Sequence, residues 1–334
     1  MITHCTVAVH ESSQTFAART AARDVAERAG LDPTDVHRVG LVATELATNL
    51  VKHAKGGEVL ISFQGPPDTE VELIALDRGP GIHDVAAALR DGHSSAGSPG
   101  TGLGAIRRQS EDFDIISLPG QGTAVLARLR ARRASKQQVG ALQIRAISMA
   151  VHGESLCGDA WRVRPYVSGA SVLVVDGLGH GAGANEASEA AVRAFERETI
   201  GTAPAHALER IHHALRHTRG AAAAVADVSR DHGVVRFSGI GNITGVISIA
   251  GVRRQTVSNN GTLGHVATHF REYQYPWGAD GILVLHSDGL SARWTLDKYP
   301  GVSQRDPSII AAILYRDFAR SRDDATVVVV RDVA

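Results

Sequence analysis

Cysteine is nearly absent: 334 residues hold two, Cys5 and Cys157, far apart and outside any C-x-x-C spacing. That count argues against a disulfide framework or a zinc site and reads as two idle thiols in a reducing compartment. An excess of either charge is also missing, with Lys+Arg and Asp+Glu at 35 each, so nothing favours a polyanionic partner such as nucleic acid. No apolar run approaches the roughly 18 residues that a membrane span requires. The N-terminus lacks a basic segment followed by an apolar one. A cytoplasmic protein without membrane attachment is therefore expected. Repeats and low-complexity tracts are missing as well.

What is present is a globular composition, 43% hydrophobic and 21% charged, in a length that suits two domains. Arg128, Arg130, Arg132, Arg133 and Lys136 crowd together. The first three alternate with Ala127, Leu129 and Ala131 like an ending strand, and a solvated linker follows. The expected division is residues 1–131, a linker at 132–141, and residues 142–334. Before the linker the pattern predicts helices over Thr15–Ala29 and from Pro33 on, where Val39, Val42, Leu46 and Leu50 recur at helical spacing. Strands are expected at Glu58–Phe63, Glu70–Leu76, Asp112–Leu118 and Thr123–Leu129. The second half reads as nine strands, from Leu142–Ala150 to Ala325–Arg331, with helices near Ala182–Ile200, Ala203–Thr218 and Pro307–Ala319. Segregated helices and antiparallel-type strands give an α+β class, with two stacked sheets flanked by helices in the second half.

Three stretches of the first half can serve a nucleotide. On the second helix Glu45, Asn49 and Lys52 or His53 stand three or four residues apart on one face. A carboxylate, an amide and a cation so aligned suit Mg-ATP: the carboxylate polarises a hydroxyl, the amide holds Mg²⁺ and the cation meets phosphate. Asp77 ends an apolar strand, with Gly79 and Gly81 leaving room for close backbone approach. Gly100-Thr101-Gly102-Leu103-Gly104 then supplies a Gly-rich lid before a helix N-terminus.

In that order the motifs resemble the ATP-binding domain shared by gyrase, Hsp90, sensor histidine kinases and MutL. Its small variant is the GHKL (HATPase) serine kinase/anti-sigma group typified by RsbT and RsbW. The resemblance covers residues 10–130 and implies a Bergerat-type α/β two-layer sandwich, with Asp77 on the adenine amino group and Thr123 supporting the base. No phospho-accepting helix pair precedes this domain and His53 is a poor acceptor, so transfer to a serine of another protein is expected.

The second half places four aspartates at strand ends. Asp176-Gly177 follows Ser171–Val175, Asp288 follows Gly281–His286, Asp323-Asp324 precedes Val327–Val330, and Asp159 precedes Trp161. Carboxylates without cysteine favour hard Mg²⁺ or Mn²⁺. The set resembles the type 2C metal-dependent phosphatases, in the bacterial branch with SpoIIE and RsbX, over about residues 142–331. That resemblance implies an α-β-β-α sandwich and two metals bridged by Asp176 with the Gly177 carbonyl. Asp288 and Asp323 would be further ligands, Asp159 would contribute through water, and Asp324 would stand behind them. Leu178 occupies the place of the histidine proposed as general acid in eukaryotic relatives, no phosphate-binding arginine is evident near His152–Cys157, and the proton donor stays unassigned, since His180 could take that role but its flanking glycines fit a tight turn equally well.

The expectation is a partner-switching regulator of stress or sigma-factor signalling, a serine kinase fused to a phosphoserine phosphatase. Its clients would be STAS-type antagonist or stressosome-type proteins, with a sigma factor or a downstream phosphatase as further partners. The alternative is an ATP-binding module that sequesters a client while only the phosphatase is catalytic.

Overall fold

The computed structural model describes residues 4–65, 69–90, 102–131 and 142–333. The expected linker at 132–141 and the lid residues Gly100 and Thr101 lie outside the described residues. Two compact units are present: the described residues up to 131 cluster with Leu296–Ile313, and the other described residues form the second unit.

The first unit runs β1 (Cys5–Val9), α1 (Ser13–Arg28), α2 (Pro33–Asn49), a π-helical turn (Leu50–Ala54), β2 (Gly57–Gln64) and β3 (Glu70–Leu76). Then come α3 (Val85–Ala88), α4 (Gly102–Gln109), β4 (Asp112–Leu118) and β5 (Gly122–Arg130). The sheet is antiparallel in the order β1-β2-β3-β5-β4. Helix α2 starts where its sequence dictates. Asp32 accepts from the backbone N–H groups of Thr34 and Asp35 at 2.9 Å each, and Pro33 fills the first helical position, where no N–H is needed. Its stripe of Val39, Val42 and Leu46 packs in one core with Val59, Ile61, Leu73 and Leu129 of the sheet. Each such side chain contributes about 1.5–3 kcal/mol. Strand β1 was not expected. It lies at the sheet edge and buries only Val9, so its residues carry no alternation to read.

Arg128 is buried, although the basic run it belongs to leads into what the sequence suggests is a solvated linker. It stands opposite Glu72 in the β3–β5 register and is 2% exposed. Its Nε donates to Glu72 at 2.6 Å, its two terminal nitrogens donate to the two Asp306 oxygens at 2.7 and 2.6 Å, and one of them also reaches Ser308 Oγ at 2.8 Å. The alternation that sends Ala127 and Leu129 toward the helices sends Arg128 to the other face, where residues of Leu296–Ile313 replace solvent. A guanidinium is tolerated there because carboxylates meet it on several sides.

The second unit contains β6 (Leu142–Met149), β7 (Asp159–Tyr166), β8 (Gly169–Gly177), α5 (Ala182–Glu196), α6 (Pro204–Ala214), β9 (Ala221–Ser229) and β10 (Val234–Ile240). It continues with β11 (Thr244–Ile249), β12 (Val252–Gln255), β13 (Tyr273–Pro276), β14 (Ile282–His286), the end of α7 (Pro307–Phe318) and β15 (Ala325–Asp332). Two five-stranded sheets, ordered β13-β10-β9-β8-β7 and β12-β11-β14-β15-β6, enclose one core. Val172, Val174 and Phe237 of the first sheet meet Leu283, Leu285 and Val328 of the second. On the outer face of the first sheet, Leu173, Val175 and Val225 pack with Phe195 of α5 and Leu208 of α6. Strand β8 is buried on both faces, which is why its sequence is a continuous apolar run rather than an alternating one. The short edge strand β13 was not expected.

Candidate active sites

The sequence-predicted nucleotide residues come together in the first unit. Asp77 leaves the end of β3, 9% exposed. Its Oδ1 accepts from the Gly79 N–H at 2.7 Å and from the Thr123 N–H at 3.2 Å, which fixes the carboxylate before any base arrives. Thr123 Oγ1 lies 2.8 Å from Ser117 Oγ, and that oxygen accepts from the Ile82 N–H at 2.7 Å. Glycine is required where these segments cross. Gly122 has φ +84° and a Cβ there would sit 2.1 Å from the Asp77 carbonyl oxygen, while at Gly81, φ +74°, it would sit 2.3 Å from that of Leu118.

Glu45 and Asn49 face the start of α4. A Cβ on Gly102 would lie 3.2 Å from Asn49 Oδ1 and 3.5 Å from Glu45 Oε2. Asn49 Nδ2 is buried and has no hydrogen-bond partner among the described residues. An amide beside a carboxylate at the start of α4 is a polar pair that Mg-ATP fits. Leu103 and Gly104 continue α4 from Gly102, with Gly104 buried. Lys52 and His53 are placed differently from Glu45 and Asn49. They are exposed on the π-helical turn, whose wider spacing shifts them relative to an α-helical face, and they make no hydrogen bond or ion pair among the described residues.

In the second unit, strand pairing gathers the aspartates. Asp159 and Asp176 are register partners at the ends of β7 and β8. Asn242 donates through Nδ2 to Asp176 Oδ2 at 3.2 Å and to Asp288 Oδ2 at 2.8 Å, so one amide spans two carboxylates that are remote in sequence. Asp159, 1% exposed, accepts from Ser287 Oγ at 2.6 Å beside Asp288. Asp324 accepts from the Val151 and Gly158 N–H groups at 2.7 Å each, which holds the loop between β6 and β7 and places Asp324 behind its neighbour Asp323. Among the described residues no group of three or more His, Cys, Asp or Glu side chains is arranged to hold a metal ion as it stands.

The electrostatics agree with a site for cations. Burial, then the charges of Asp288, Asp323 and Asp324, push the Asp176 carboxyl up to about 7 despite the Asn242 hydrogen bond. Burial first and the Asp176 charge second push Asp159 well above the usual carboxylate range, and Asp323 is raised by burial with Asp288 and Asp324 adding to it. Carboxylates that raise one another's pKa are relieved by a dication, and an all-oxygen donor set fits Mg²⁺ or Mn²⁺. The two cysteines are free, Cys5 exposed and Cys157 buried with its thiol pKa raised by that burial.

Two families match. The histidine kinase-like ATPase domain matches residues 9–129, and the Stage II sporulation protein E (SpoIIE) family matches residues 168–332. The serine/threonine-protein kinase RsbT of Bacillus subtilis (strain 168) is 34% identical over 112 residues, which are 33% of this chain and 84% of RsbT. The chain belongs to the histidine kinase-like ATPase family, fused to a SpoIIE-type phosphatase. The phosphoserine phosphatase RsbX of the same organism is 24% identical over 140 residues, 42% of this chain and 70% of RsbX. A solved structure described as "The bacterial stressosome: a modular system that has been adapted to control secondary messenger signaling" is 27% identical with a TM-score of 0.53. It covers 57% of this chain and 99% of its own. The SpoIIE-type part carries homology to type 2C protein-serine phosphatases, and the ATPase domain is RsbT-like.

Three residues of the SpoIIE-type site have no sequence signal that singled them out. Asn242 follows Gly241, whose N–H donates to the Asn259 carbonyl at 2.9 Å. In sequence this is one more Gly-Asn pair. Glu154 lies in the loop held by Asp324, and its Oε1 is 2.8 Å from His180 Nδ1. The exposed Arg219 rests its guanidinium against the start of α5 and the loop before it: its Nε is 2.5 Å from where a Gly183 Cβ would sit, and a terminal nitrogen is 3.5 Å from where a Gly179 Cβ would sit. All three depend on loops meeting across the fold.

Proposed function

We propose that this chain is a partner-switching regulator that adds phosphate to, and removes it from, a serine on a STAS-type antagonist or stressosome-type protein in the cytoplasm. The observation that carries the reading is the presence in one chain of two sites suited to phosphoryl transfer. In one, the orphaned Asn49 amide stands beside Glu45. In the other, Asp176 and Asp288 converge on one amide. A sigma factor or a downstream phosphatase completes the circuit.

In the RsbT-like domain Asp77 accepts from the adenine amino group, Thr123 supports the base, and Gly79 and Gly81 let the ring approach. Gly102 leaves room beside Asn49 for the phosphates, and Asn49 would hold Mg²⁺. Glu45 polarises the client hydroxyl, and transfer rests on positioning. In the phosphatase domain Asp176, the Gly177 carbonyl, Asp288 and Asp323 would hold two Mn²⁺ or Mg²⁺, with Asp159 contributing through water and Asp324 behind them. These cations supply an activated water and offset phosphate charge. Arg219 offers the dianionic ester a guanidinium beside the turn at Gly179.

The test follows phosphoserine on a STAS-type client by intact mass, with ATP, Mg²⁺ and Mn²⁺ present. Asp176→Asn should accumulate phosphorylated client, and Glu45→Ala should leave the client unmodified while still binding ATP. Client that stays unmodified with Asp176→Asn while ATP is bound would remove the kinase half of the reading.

A further inference from the structure

The metal centre described above lacks a proton donor for the serine that departs. The loop after Gly177 carries His180 between Gly179 and Gly181, which have φ of +83° and +71°. These turns bring the ring against the loop that follows β6: His180 Nδ1 lies 2.8 Å from Glu154 Oε1. The same carboxylate fits closely over the turn, because a Cβ on Gly181 would lie 3.0 and 3.1 Å from its two oxygens. Glu154 is itself anchored. Its N–H donates to the Val151 carbonyl at 3.0 Å, and the Val151 N–H donates to Asp324 at 2.7 Å. Asp324 therefore fixes the loop that carries Glu154 and sits next to Asp323, one of the proposed ligands. The His180 side chain is 58% exposed, and its Nε2 has no protein partner among the described residues. The turn also lies against the carboxylates: a Cβ on Gly158 would sit 2.7 Å from Asp324 Oδ2 and 3.3 Å from the Gly179 carbonyl oxygen.

We propose that His180, held through Nδ1 by Glu154, is the catalytic residue that protonates the serine oxygen as it leaves. The assignment rests on the phosphatase reading of this site. As a water oxygen bonds to phosphorus, the bond between phosphorus and the serine oxygen breaks and its electron pair stays on that oxygen. The proton on His180 Nε2 transfers to it, and the ring is left neutral with Nδ1–H directed at Glu154. One water proton remains on the phosphate and the other passes to solvent, from which the ring is recharged. Glu154 is a positioning residue: it fixes the tautomer and aims Nε2 outward.

An alkoxide is a poor leaving group and needs that proton, whereas p-nitrophenolate departs with little help. The experiment compares kcat/KM on a phosphoserine peptide and on p-nitrophenyl phosphate, with saturating Mn²⁺, for wild type, His180→Gln and Glu154→Gln. General acid catalysis contributes on the order of 10²–10⁴-fold. His180→Gln should lose about 100-fold or more on the peptide, with a loss at least about tenfold smaller on the nitrophenyl ester. Glu154→Gln should shift the ratio of the two substrates the same way by a smaller factor. Manganese affinity measured by calorimetry should match wild type in both variants, which separates proton donation from damage to the metal centre. Equal losses on both esters, or no loss on the peptide, overturn the assignment. A wild-type protein that binds Mn²⁺ but turns over neither ester overturns the phosphatase reading, and this assignment with it.

Discussion

Asp77 spends one oxygen on its own surroundings. Oδ1 takes the N–H groups of Gly79 and Thr123, so the carboxylate is oriented by the backbone rather than by a ligand. A preset acceptor of this kind binds without reorganisation, and a hydrogen bond to a charged acceptor contributes about 1.5–3 kcal/mol. Asp77→Asn should therefore weaken ATP binding about 10- to 150-fold by calorimetry. An unchanged affinity would remove Asp77 from the adenine site. Single residues also decide the other centre. Asn242 is a neutral side chain hydrogen-bonded to both Asp176 and Asp288, and as a donor it lowers the cost of holding two carboxylates near each other.

At the scale of elements, the hairpin of β4 and β5 and the turn after β3 work as one unit. Gly120 N–H donates to the Pro80 carbonyl at 2.8 Å, and Asp77 N–H donates to the Thr123 carbonyl at 3.0 Å. Gly122 is the pivot, with its left-handed backbone and the Asp77 carbonyl where a Cβ would go. Gly122→Ala must open that contact. Backbone strain of this type costs on the order of 1–3 kcal/mol. The variant should melt several degrees lower and lose ATP affinity in step, as Thr123 and Asp77 separate. A melting temperature and an ATP affinity both equal to wild type would show that the turn does not set the site. Helix α2 illustrates the converse. Its cap and stripe are local, yet it ends in a π-helical turn at Leu50, and that change of pitch keeps Lys52 and His53 from simply continuing the row of Glu45 and Asn49.

For the molecule as a whole, the clustered carboxylates tie stability to pH and metal. The folded-state pKa of Asp176 is raised from 3.8 to about 7, chiefly by burial and next by Asp288. The folded state thus binds protons more tightly than the unfolded chain. The contribution is complete below the unfolded value and is lost as the pH rises toward 7, so the metal-free protein should be less stable at pH 8 than at pH 5.5. A cation binding the ionised cluster reverses the sign. At about 100 times its dissociation constant it adds about 2.7 kcal/mol. Scanning calorimetry with chelator and with Mn²⁺ should show a larger upward shift at pH 8 than at pH 5.5. A shift equal at both pH values, or none, would mean that these carboxylates do not hold the cation. Among the described residues no helix is long and apolar enough to cross a membrane.

The sequence by itself determined what is local. The stripe of α2, its Asp32 cap, the apolar runs that end in Asp77, Asp176 and Asp288, and the glycines beside them all follow from periodicity and backbone freedom over a few residues. Tertiary structure decided what loops do to one another. Asn242 lies 66 residues from Asp176 and 46 from Asp288, and Glu154 lies 26 from His180. No short-range pattern marks such partners, because an asparagine or glutamate in a loop looks the same whether it faces water or a carboxylate. Arg128 makes the point most sharply. Its place in the β5 alternation was readable, but whether that face met solvent or Asp306, 178 residues away, was fixed only when the chain folded. Burial converts a surface charge into a cluster that needs partners, and burial is a property of the whole fold.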